Sequence, residues 1–261
     1  MMFDAIFADL QEIVRQRLEP WPLQREGFHW AGYTYDHTLR VVNLALHMAR
    51  QLDADTDVVR FAALLHDIRK DAGRDHAQVG AEEVRHLLTD RGLPDDFVAA
   101  VAGAIECHSG SNSPEHPVEN LCVGDADLID ANFGLVGTWR FITIRSGRGE
   151  DLDGTIHAMA EWLPKKDALT DLLNTSLGRQ IAMQRSAVMR RFCQELAVAL
   201  ENGHEDDSPL WLARYIHDHS DTGRLQQQLT ALNGGLPGSH RYPASVAPAL
   251  QILHDEVAGR Q

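Results

Sequence analysis

A histidine followed directly by an aspartate, His66-Asp67, ends a strongly apolar segment that begins at Phe61. A charged aspartate placed straight after an apolar stripe is costly to bury without a partner, and a divalent cation is a suitable partner. Neighbouring residues on a helix point about 100° apart, but at a helix end both side chains can still converge on one ion. The alternative is a helix end that has simply reached solvent, where a histidine lies near the negative end of the helix dipole.

Further histidines and carboxylates favour the metal interpretation. His37 falls in the first turn of the preceding amphipathic helix, from which it can supply a second imidazole. Three aspartates, Asp125, Asp127 and Asp130, lie in an otherwise apolar helix, and the last two share a face because they are three residues apart. A carboxylate on an inward face usually needs a cation, which can be Arg, Lys or a metal.

The elements that would position these residues are predicted to be helices. Apolar residues recur at intervals of three and four along most of the chain, as in Val41, Leu44, Ala45 and Met48. Strand-like alternation is scarce, and its one candidate, residues 139–144, also fits a helix. We therefore expect an all-α protein.

Capping and turn residues predict where these helices begin and end. We expect Asp36 to cap a helix that runs to about Gln51, and Thr56 to cap the next helix, which ends near His66. The segment 109–117 contains Gly, Ser, Asn and two prolines, so we expect a loop there.

Composition and charge restrict the class of protein. The chain has 261 residues, of which 44% are hydrophobic and 24% charged, as in an ordinary globular protein with one large domain or one domain and a small appendage. Its net charge of −14 repels a phosphate backbone, so we expect no broad nucleic-acid binding. A small phosphorylated substrate remains compatible, because a metal ion and a few cations can reverse the field inside one cleft.

The sequence also predicts the location of the protein and the redox state of its cysteines. The N-terminal residues alternate apolar and charged types at helical spacing, unlike a signal peptide, and no stretch approaches the ~18 apolar residues of a membrane span. Cys107, Cys122 and Cys193 form an odd, irregularly spaced set without a CxxC pair. We expect free thiols, no membrane association and a cytoplasmic protein.

The order His37, His66-Asp67, Asp127 resembles the H…HD…D signature of the HD-domain phosphohydrolases. The aspartate that this family uses is the one in its Ala-Asp pair, which corresponds to Asp127 in this chain. HD alone is a weak motif, whereas the four elements in order on helices are specific.

Two longer segments carry the resemblance further. Residues 125–141 resemble the fifth-helix region of the bacterial HD branch that includes nucleotide pyrophosphohydrolase-like members, and residues 173–185 resemble its long C-terminal helix. The resemblance implies an HD-domain helical bundle with a C-terminal helical extension.

This resemblance divides the chain into three parts. They are an N-terminal helix and connector at 1–32, an HD domain with its long C-terminal helix at 33–200, and a helical appendage at 201–261. The appendage begins with the best linker candidate, 201–209, and contains a glycine-rich stretch at 234–239. Packing on the bundle, capping the cleft and supporting a homodimer are all compatible with its sequence.

The resemblance implies a metal ion held by His37, His66, Asp67 and Asp127. Two imidazoles and two carboxylates suit Mn²⁺, Fe²⁺, Ni²⁺, Co²⁺ or Mg²⁺ better than structural zinc. Such an ion can polarise a phosphoryl oxygen and lower the pKa of the water that attacks phosphorus. Asp67 and Lys70 are both candidates for catalytic residues.

Cations near this site are candidates to hold the substrate's phosphate. Lys70, one turn past His66, is the strongest, and Arg69 and Arg140 are further candidates. Each of the two arginines is more often an ordinary solvated surface cation.

The number of metal ions depends on His76 and His108. Some HD branches add two histidines and hold two ions bridged by the HD aspartate, and the sequences around His76 and His108 resemble these elements. One ion and two ions both stay open. Without a second ion, these histidines remain catalytic candidates as acid, base or phosphate ligand.

We therefore expect metal-dependent hydrolysis of a phosphoester or phosphoanhydride in a small phosphorylated molecule, with a nucleotide favoured. One alternative is a di-iron HD oxygenase, which would need His76 and His108 as ligands. Another is a non-catalytic ligand-sensing HD module, although signalling versions often lose ligands that this chain retains. Hydrolysis of guanosine alarmones is disfavoured, because that branch follows HD with Glu-Asp and this chain has residues Ile68-Arg69-Lys70-Asp71.

Overall fold

The structure is a computed structural model that describes residues 2–24, 27–203, 209–221, 223–233 and 242–260. Five residues of the expected linker, 204–208, and the glycine-rich stretch 234–239 lie outside the described residues. Within the described ranges the chain forms twelve α-helices and no β-strand, which confirms the all-α prediction.

The helices differ widely in length, from eight residues in the shortest to 27 in the longest. They are α1 (Met2–Leu18), α2 (Tyr33–Gln51), α3 (Thr56–Leu65), α4 (His76–Thr89), α5 (Asp95–Cys107), α6 (Val118–Asn132), α7 (Gly134–Ser146), α8 (Leu152–Asp167), α9 (Ser176–Asn202), α10 (Pro209–Asp218), α11 (Leu225–Leu232) and α12 (Ala247–Val257). Short 3₁₀ turns lie at Lys70–Asp75, Ala168–Leu172 and Ala244–Val246.

The chain forms two compact units. The first comprises Met1–Ile129 and Leu172–Arg179, and the second comprises Asp130–Asp171 and Gln180–Gln261. The division at 32/33 and 200/201 that the sequence suggests stays a prediction.

In the first unit, α3 is the helix around which the others pack. It contacts α1, α2 and α5, while α4 packs on α5. Phe61, Leu64 and Leu65 of α3 have no exposed surface. Burying each such side chain stabilises the fold by roughly 1.5–3 kcal/mol. The end of α3, where His66 and Asp67 follow, is therefore held inside the core.

The helix starts differ from the capping predictions at two places. The helix α2 begins at Tyr33, because Gly32 with φ 83° turns the chain there, and Asp36 lies buried inside the helix instead of capping it. The cap of α3 is Asp55, whose carboxylate accepts from the amides of Asp57 and Val58 at 2.8 and 3.1 Å. Thr56 is the first residue of that helix.

Other local predictions agree with the structure. The ambiguous segment 139–144 is part of α7, and the loop predicted at 109–117 separates α5 from α6. Cys107, Cys122 and Cys193 are free thiols, and burial raises the pKa of Cys122 and Cys193 to about 12. None of the described helices combines the length and apolar character needed to cross a membrane.

In the second unit, α7 is covered by α8, α10 and α12. The buried carboxylate of Glu256, on α12, accepts from the backbone amides of Leu135 and Val136 at 3.1 and 2.9 Å. These are orphan donors of the first turn of α7, and Gly134, with φ 80°, leaves the space that Glu256 fills. The C-terminal helix is thus fastened to α7 by hydrogen bonds and not by apolar contact alone.

Candidate metal centre

Seven polar side chains that the sequence singled out come together in the first unit. Their local positions explain how: several follow or begin a helix, so that their side chains leave the helix surface and point into a common space. They are His37 on α2, His66 and Asp67 after α3, Lys70 in the following turn, His76 at the start of α4, His108 after α5, and Asp127 on α6.

Three of the imidazoles are oriented by the same local hydrogen bond. Each ring donates from Nδ1 to the carbonyl oxygen three residues earlier in the chain. A neutral ring that donates from Nδ1 carries a lone pair on Nε2. The bonds are His66 to Ala63 at 2.8 Å, His76 to Gly73 at 2.7 Å, and His108 to Ile105 at 2.6 Å.

One half of the site is formed by His37, His66 and Asp127. The Nε2 atom of His37 lies 2.9 Å from Oδ1 of Asp127, and the Nε2 atom of His66 lies 3.9 Å from the same oxygen. The Oδ2 atom of Asp67 lies 3.6 Å from Nε2 of His66. Donor atoms of His37, His66 and Asp127 are all within 4.8 Å of one another, as a shared ion requires.

Two buried atoms in this half of the site favour the binding of a cation. Nε2 of His66 and Oδ2 of Asp67 are buried, and neither has a hydrogen-bond partner among the described residues. A lone pair and a carboxylate oxygen buried without a donor are costly, and a divalent cation between them would satisfy both. The nitrogen and oxygen donors fit such an ion, which agrees with the ligand types expected from the sequence.

The other half of the site is built on the second oxygen of Asp67. Its Oδ1 atom lies 2.9 Å from Nζ of Lys70, 3.4 Å from Nε2 of His76 and 3.6 Å from Nε2 of His108. The two carboxylate oxygens of Asp67 thus face two different sets of partners. A second group of donor atoms that could hold an ion consists of His66, Asp67 and His108.

The protonation of the site follows from burial and from neighbouring charges. Burial lowers the pKa of His66 to about 4, so its ring is neutral at pH 7. Burial by itself raises the pKa of Asp67. The charges of His66 and Lys70 lower this pKa by a larger amount, so that the net pKa lies well below the usual range. The pKa of Asp127 is also lowered, since its hydrogen bond with His37 and the nearby imidazoles outweigh burial. Both aspartates are therefore ionised and able to bind a metal.

The site is closed on one side and open on the other. The side chains of His37, His66, Asp67, His76 and His108 are at most 7% exposed, whereas those of Lys70 and Asp127 are 20% and 23% exposed. Solvent therefore reaches the site at Lys70 and Asp127.

The structure distinguishes among the three aspartates of α6. Asp127 reaches His37 and His66, whereas the buried carboxylate of Asp125 accepts from the amides of Asn174 and Thr175, both at 2.9 Å. Asp125 also accepts from the Thr175 hydroxyl at 2.7 Å, so it holds the start of α9. Asp130 lies in the second compact unit.

The two arginines proposed as phosphate ligands make other contacts. Arg69 donates to Asp71 at 3.1 Å and to Glu83 at 3.2 Å. Arg140 lies in the second unit, and its guanidinium donates to the carbonyl of Ala131 at 3.0 Å. Their role toward a substrate stays a prediction.

Tyr33 is a site residue that the sequence patterns did not single out. Its ring stacks on the His37 ring, with centroids 5.9 Å apart and planes 8° apart. The signal was present in the sequence, because residues four apart on a helix share a face. Tyr33 therefore lies beside the His37 ring on the same face of α2.

Comparison with known proteins agrees with this geometry. The HD domain family matches residues 34–132, a range that contains His37, His66, Asp67 and Asp127. The protein YpgQ of Bacillus subtilis is 28% identical over 172 residues, which cover 64% of this chain and 83% of YpgQ.

Solved structures show the same fold. A predicted HD superfamily hydrolase from an uncultured Thermotogales bacterium is 25% identical, with a TM-score of 0.53, and the match covers 74% of this chain and 92% of that one. The structure of Bacillus subtilis YpgQ in complex with ADP is 24% identical, with a TM-score of 0.55, over 75% of this chain and 95% of that one. With the H…HD…D residues gathered around one point and the HD domain matched over the same range, residues 34–132 of this chain are similar to the HD domain family.

Proposed function

We propose that this chain hydrolyses a phosphoester or phosphoanhydride bond in a small phosphorylated molecule, with a nucleotide as the favoured substrate class. The observation that carries the proposal is the pair of buried acceptors, Nε2 of His66 and Oδ2 of Asp67, which have no partner among the described residues and lie beside His37 and Asp127. Acceptors arranged in this way can bind a cation, and the solved Thermotogales relative is a predicted HD superfamily hydrolase.

Each residue of the site has a distinct role in this proposal. His37, His66, Asp67 and Asp127 hold the divalent ion, which would be Mn²⁺, Fe²⁺, Ni²⁺, Co²⁺ or Mg²⁺. When bound, such an ion supplies Lewis-acid polarisation of the phosphoryl oxygen and lowers the pKa of water.

Lys70 lies on the open side, where its ammonium can donate to an incoming phosphate oxygen while it still bonds Asp67. The charges of Asp67 and Asp127 outweigh the opposing effect of burial and raise its pKa, so it carries its charge at pH 7.

His76 is suited to accept or relay a proton. Burial and the neighbouring Lys70 lower the pKa of His76, so its ring is neutral at pH 7. His108 lies beside it, with the two Nε2 atoms 3.2 Å apart. A neutral imidazole within reach of attacking water is a common general base.

The nucleotide assignment rests on one further observation. The YpgQ structure that shares this fold was determined with ADP, which is a small phosphorylated molecule of the expected class.

A cytoplasmic location also fits the proposal, since the three cysteines are free thiols and a reducing compartment keeps thiols free.

A release assay tests the proposal. The protein is incubated with nucleoside mono-, di- and triphosphates in the presence of Mn²⁺, Mg²⁺, Ni²⁺ or Co²⁺, and phosphate and pyrophosphate are measured. We expect turnover with at least one metal, and its loss in Asp67→Ala. The matched control is Asp90→Ala, which removes an exposed carboxylate at the end of α4 and should retain activity. No turnover with any metal and substrate would contradict the proposal.

A di-iron oxygenase is the second candidate, because His76 and His108 both approach the Asp67 oxygen that would bridge two irons. Such an enzyme should contain two irons per chain and consume O₂. The phosphohydrolase should release phosphate or pyrophosphate under anaerobic conditions with Mn²⁺. Anaerobic turnover therefore separates the two.

A further inference from the structure

Two cations from different helices meet where α6 ends. Nζ of Lys166, on α8, donates to Oδ1 of Asn132 at 2.6 Å. The guanidinium of Arg140, on α7, donates to the carbonyl of Ala131 at 3.0 Å. All four residues belong to the second compact unit, and none of them is a proposed metal ligand. Because the two anchoring residues are consecutive in the chain, the two positive charges lie close together.

Lys166 carries its charge without a carboxylate partner. Within the described ranges no carboxylate pairs with it, and the nearest charge is the guanidinium of Arg140. The carboxylate of the next residue, Asp167, accepts instead from Arg190 at 2.7 Å. Burial and, after it, the charge of Arg140 lower the pKa of Lys166 to about 8, so the ammonium form still predominates at pH 7.

Neither the end of α6 nor the composition of the chain explains this arrangement. The carbonyl end of a helix is equivalent to about half an elementary negative charge, which is less than the charge of Lys166 alone. The chain has 38 acidic residues against 24 basic ones, so carboxylates are in surplus. A half-buried ammonium that lies beside another cation in so acidic a chain favours a negative charge from outside the protein.

An anion can reach this place and find donors there. The side chains of Lys166 and Arg140 are neither fully buried nor fully exposed. The bond to Asn132 uses one of the three donors of the ammonium, so two remain. The guanidinium beside it is a planar fork whose geometry matches phosphate oxygens.

We propose that Lys166, with Arg140 beside it, forms a binding site for a phosphoryl group. A phosphoryl group carries about −1.5 to −2 charges at pH 7 and three strong acceptor oxygens, so it can accept from both cations at once. The site lies in the second unit and goes beyond the function proposed above. Inorganic phosphate and the phosphates of a nucleotide present the same chemistry, and the experiment distinguishes between these two sources.

Nuclear magnetic resonance of the lysine side chains tests the site directly. The chain has only three lysines, at 70, 165 and 166, so each Cε resonance can be assigned with a single variant. Protein labelled with ¹³C-lysine is titrated with inorganic phosphate at pH 7 and constant ionic strength, with a chelator present so that phosphate bound to metal does not contribute. We expect the Lys166 resonance to shift and saturate while that of the exposed Lys165 stays in place.

Calorimetry on variants measures the contribution of the ammonium. Lys166→Met should weaken the binding of phosphate by about tenfold, since it removes a charged hydrogen-bond donor. The matched control is Lys165→Met, which removes the neighbouring exposed lysine and should bind phosphate as the wild type does. If Lys166→Met fails to fold, as judged by circular dichroism, Lys166→Gln is used in its place. The Lys70 resonance reports separately on any phosphate that binds at the metal centre.

The outcomes decide both the site and its occupant. Saturation of the Lys166 resonance at a lower concentration of ADP than of phosphate would assign the site to a nucleotide, and the reverse order would assign it to the free ion. An unsaturated or absent shift of Lys166 with both compounds would overturn the proposal. Equal phosphate affinity in Lys166→Met and Lys165→Met would also overturn it, while leaving the proposed hydrolysis at the metal centre untouched.

Discussion

Three of the four imidazoles of the centre are oriented by a backbone contact, whereas His37 contacts the carboxylate of Asp127. His66, His76 and His108 each give the Nδ1 proton to a carbonyl within their own helix turn. This contact fixes both the tautomer and the ring plane, which metal ligands require. The residue type was readable from the sequence, but the tautomer depends on where each helix begins or ends.

Burial of His66 should make the metal-free protein sensitive to acid. Its pKa falls from 6.5 in the unfolded chain to about 4 in the folded protein, so between these values the unfolded state binds more protons. The free energy of unfolding should therefore fall as the pH falls through this range, by up to about 3 kcal/mol.

Urea unfolding at pH 7.0, 5.5 and 4.5 in the presence of a chelator measures this loss. The variant His66→Gln, which cannot titrate, should show a shallower dependence on pH over the same range. An equal slope in both proteins would assign the acid sensitivity to other groups.

Asp125 and Asp127 should give opposite results although a single residue separates them. Asp125→Ala leaves the amides of Asn174 and Thr175 without an acceptor, which should cost about 2–4 kcal/mol of unfolding free energy. Its Mn²⁺ content should be unchanged. Asp127→Ala should lose the bound Mn²⁺ with a smaller effect on the metal-free protein.

Chemical denaturation combined with metal analysis of both variants makes this comparison. Loss of metal in Asp125→Ala, with unchanged stability, would contradict the assignment of the two residues.

At the scale of elements, the helices were predictable and their first residues were not. The apolar spacing along α2 and α3 depends on many residues, so a single deviation does not alter it. A helix cap depends on one residue, and two neighbouring residues of similar type can both fit the cap position. Asp55 and Thr56 both favour the cap position, and the structure uses Asp55. Asp36 fits a cap by its residue type, but the left-handed turn at Gly32, which has no periodic signal, starts the helix earlier.

The N-terminal cap of α3 offers a direct test at this scale. Asp55→Ala removes the acceptor for two backbone amides and should lower the unfolding free energy by about 1 kcal/mol. Thr56→Ala, one residue later, should change it by less, since Thr56 is already helical. Urea unfolding of the two variants side by side decides between the two caps, and a larger loss in Thr56→Ala would favour the sequence-based expectation.

At the scale of the whole molecule, the structure gathers the residues that the sequence proposed for the centre, and local sequence patterns do not reveal its two compact units. The order of His37, His66-Asp67 and Asp127 is a local pattern that a family resemblance can carry. The division into two compact units depends on which distant helices pack together, and residues 172–179 join the first unit although they lie far along the chain. Short-range patterns hold no information on such packing.

The C-terminal helix should be an integral part of the second unit. Glu256→Ala leaves the amides of Leu135 and Val136 buried without an acceptor and should cost about 2–4 kcal/mol. Because burial raises the pKa of Glu256, the Glu256→Gln variant, which keeps one acceptor without a charge, should be less affected. Thermal unfolding followed by circular dichroism measures both, and equal stability of Glu256→Ala and wild type would contradict this role.

The turn after α3 has a consequence for how such proteins diversify. The shared carboxylate, the ammonium and one imidazole lie on a single stretch of ten residues, from Asp67 to His76. An insertion or deletion inside that stretch would shift the ammonium and the imidazole away from the carboxylate together, while the helices stay as they are. The length of this turn is therefore constrained even where its side chains are exposed.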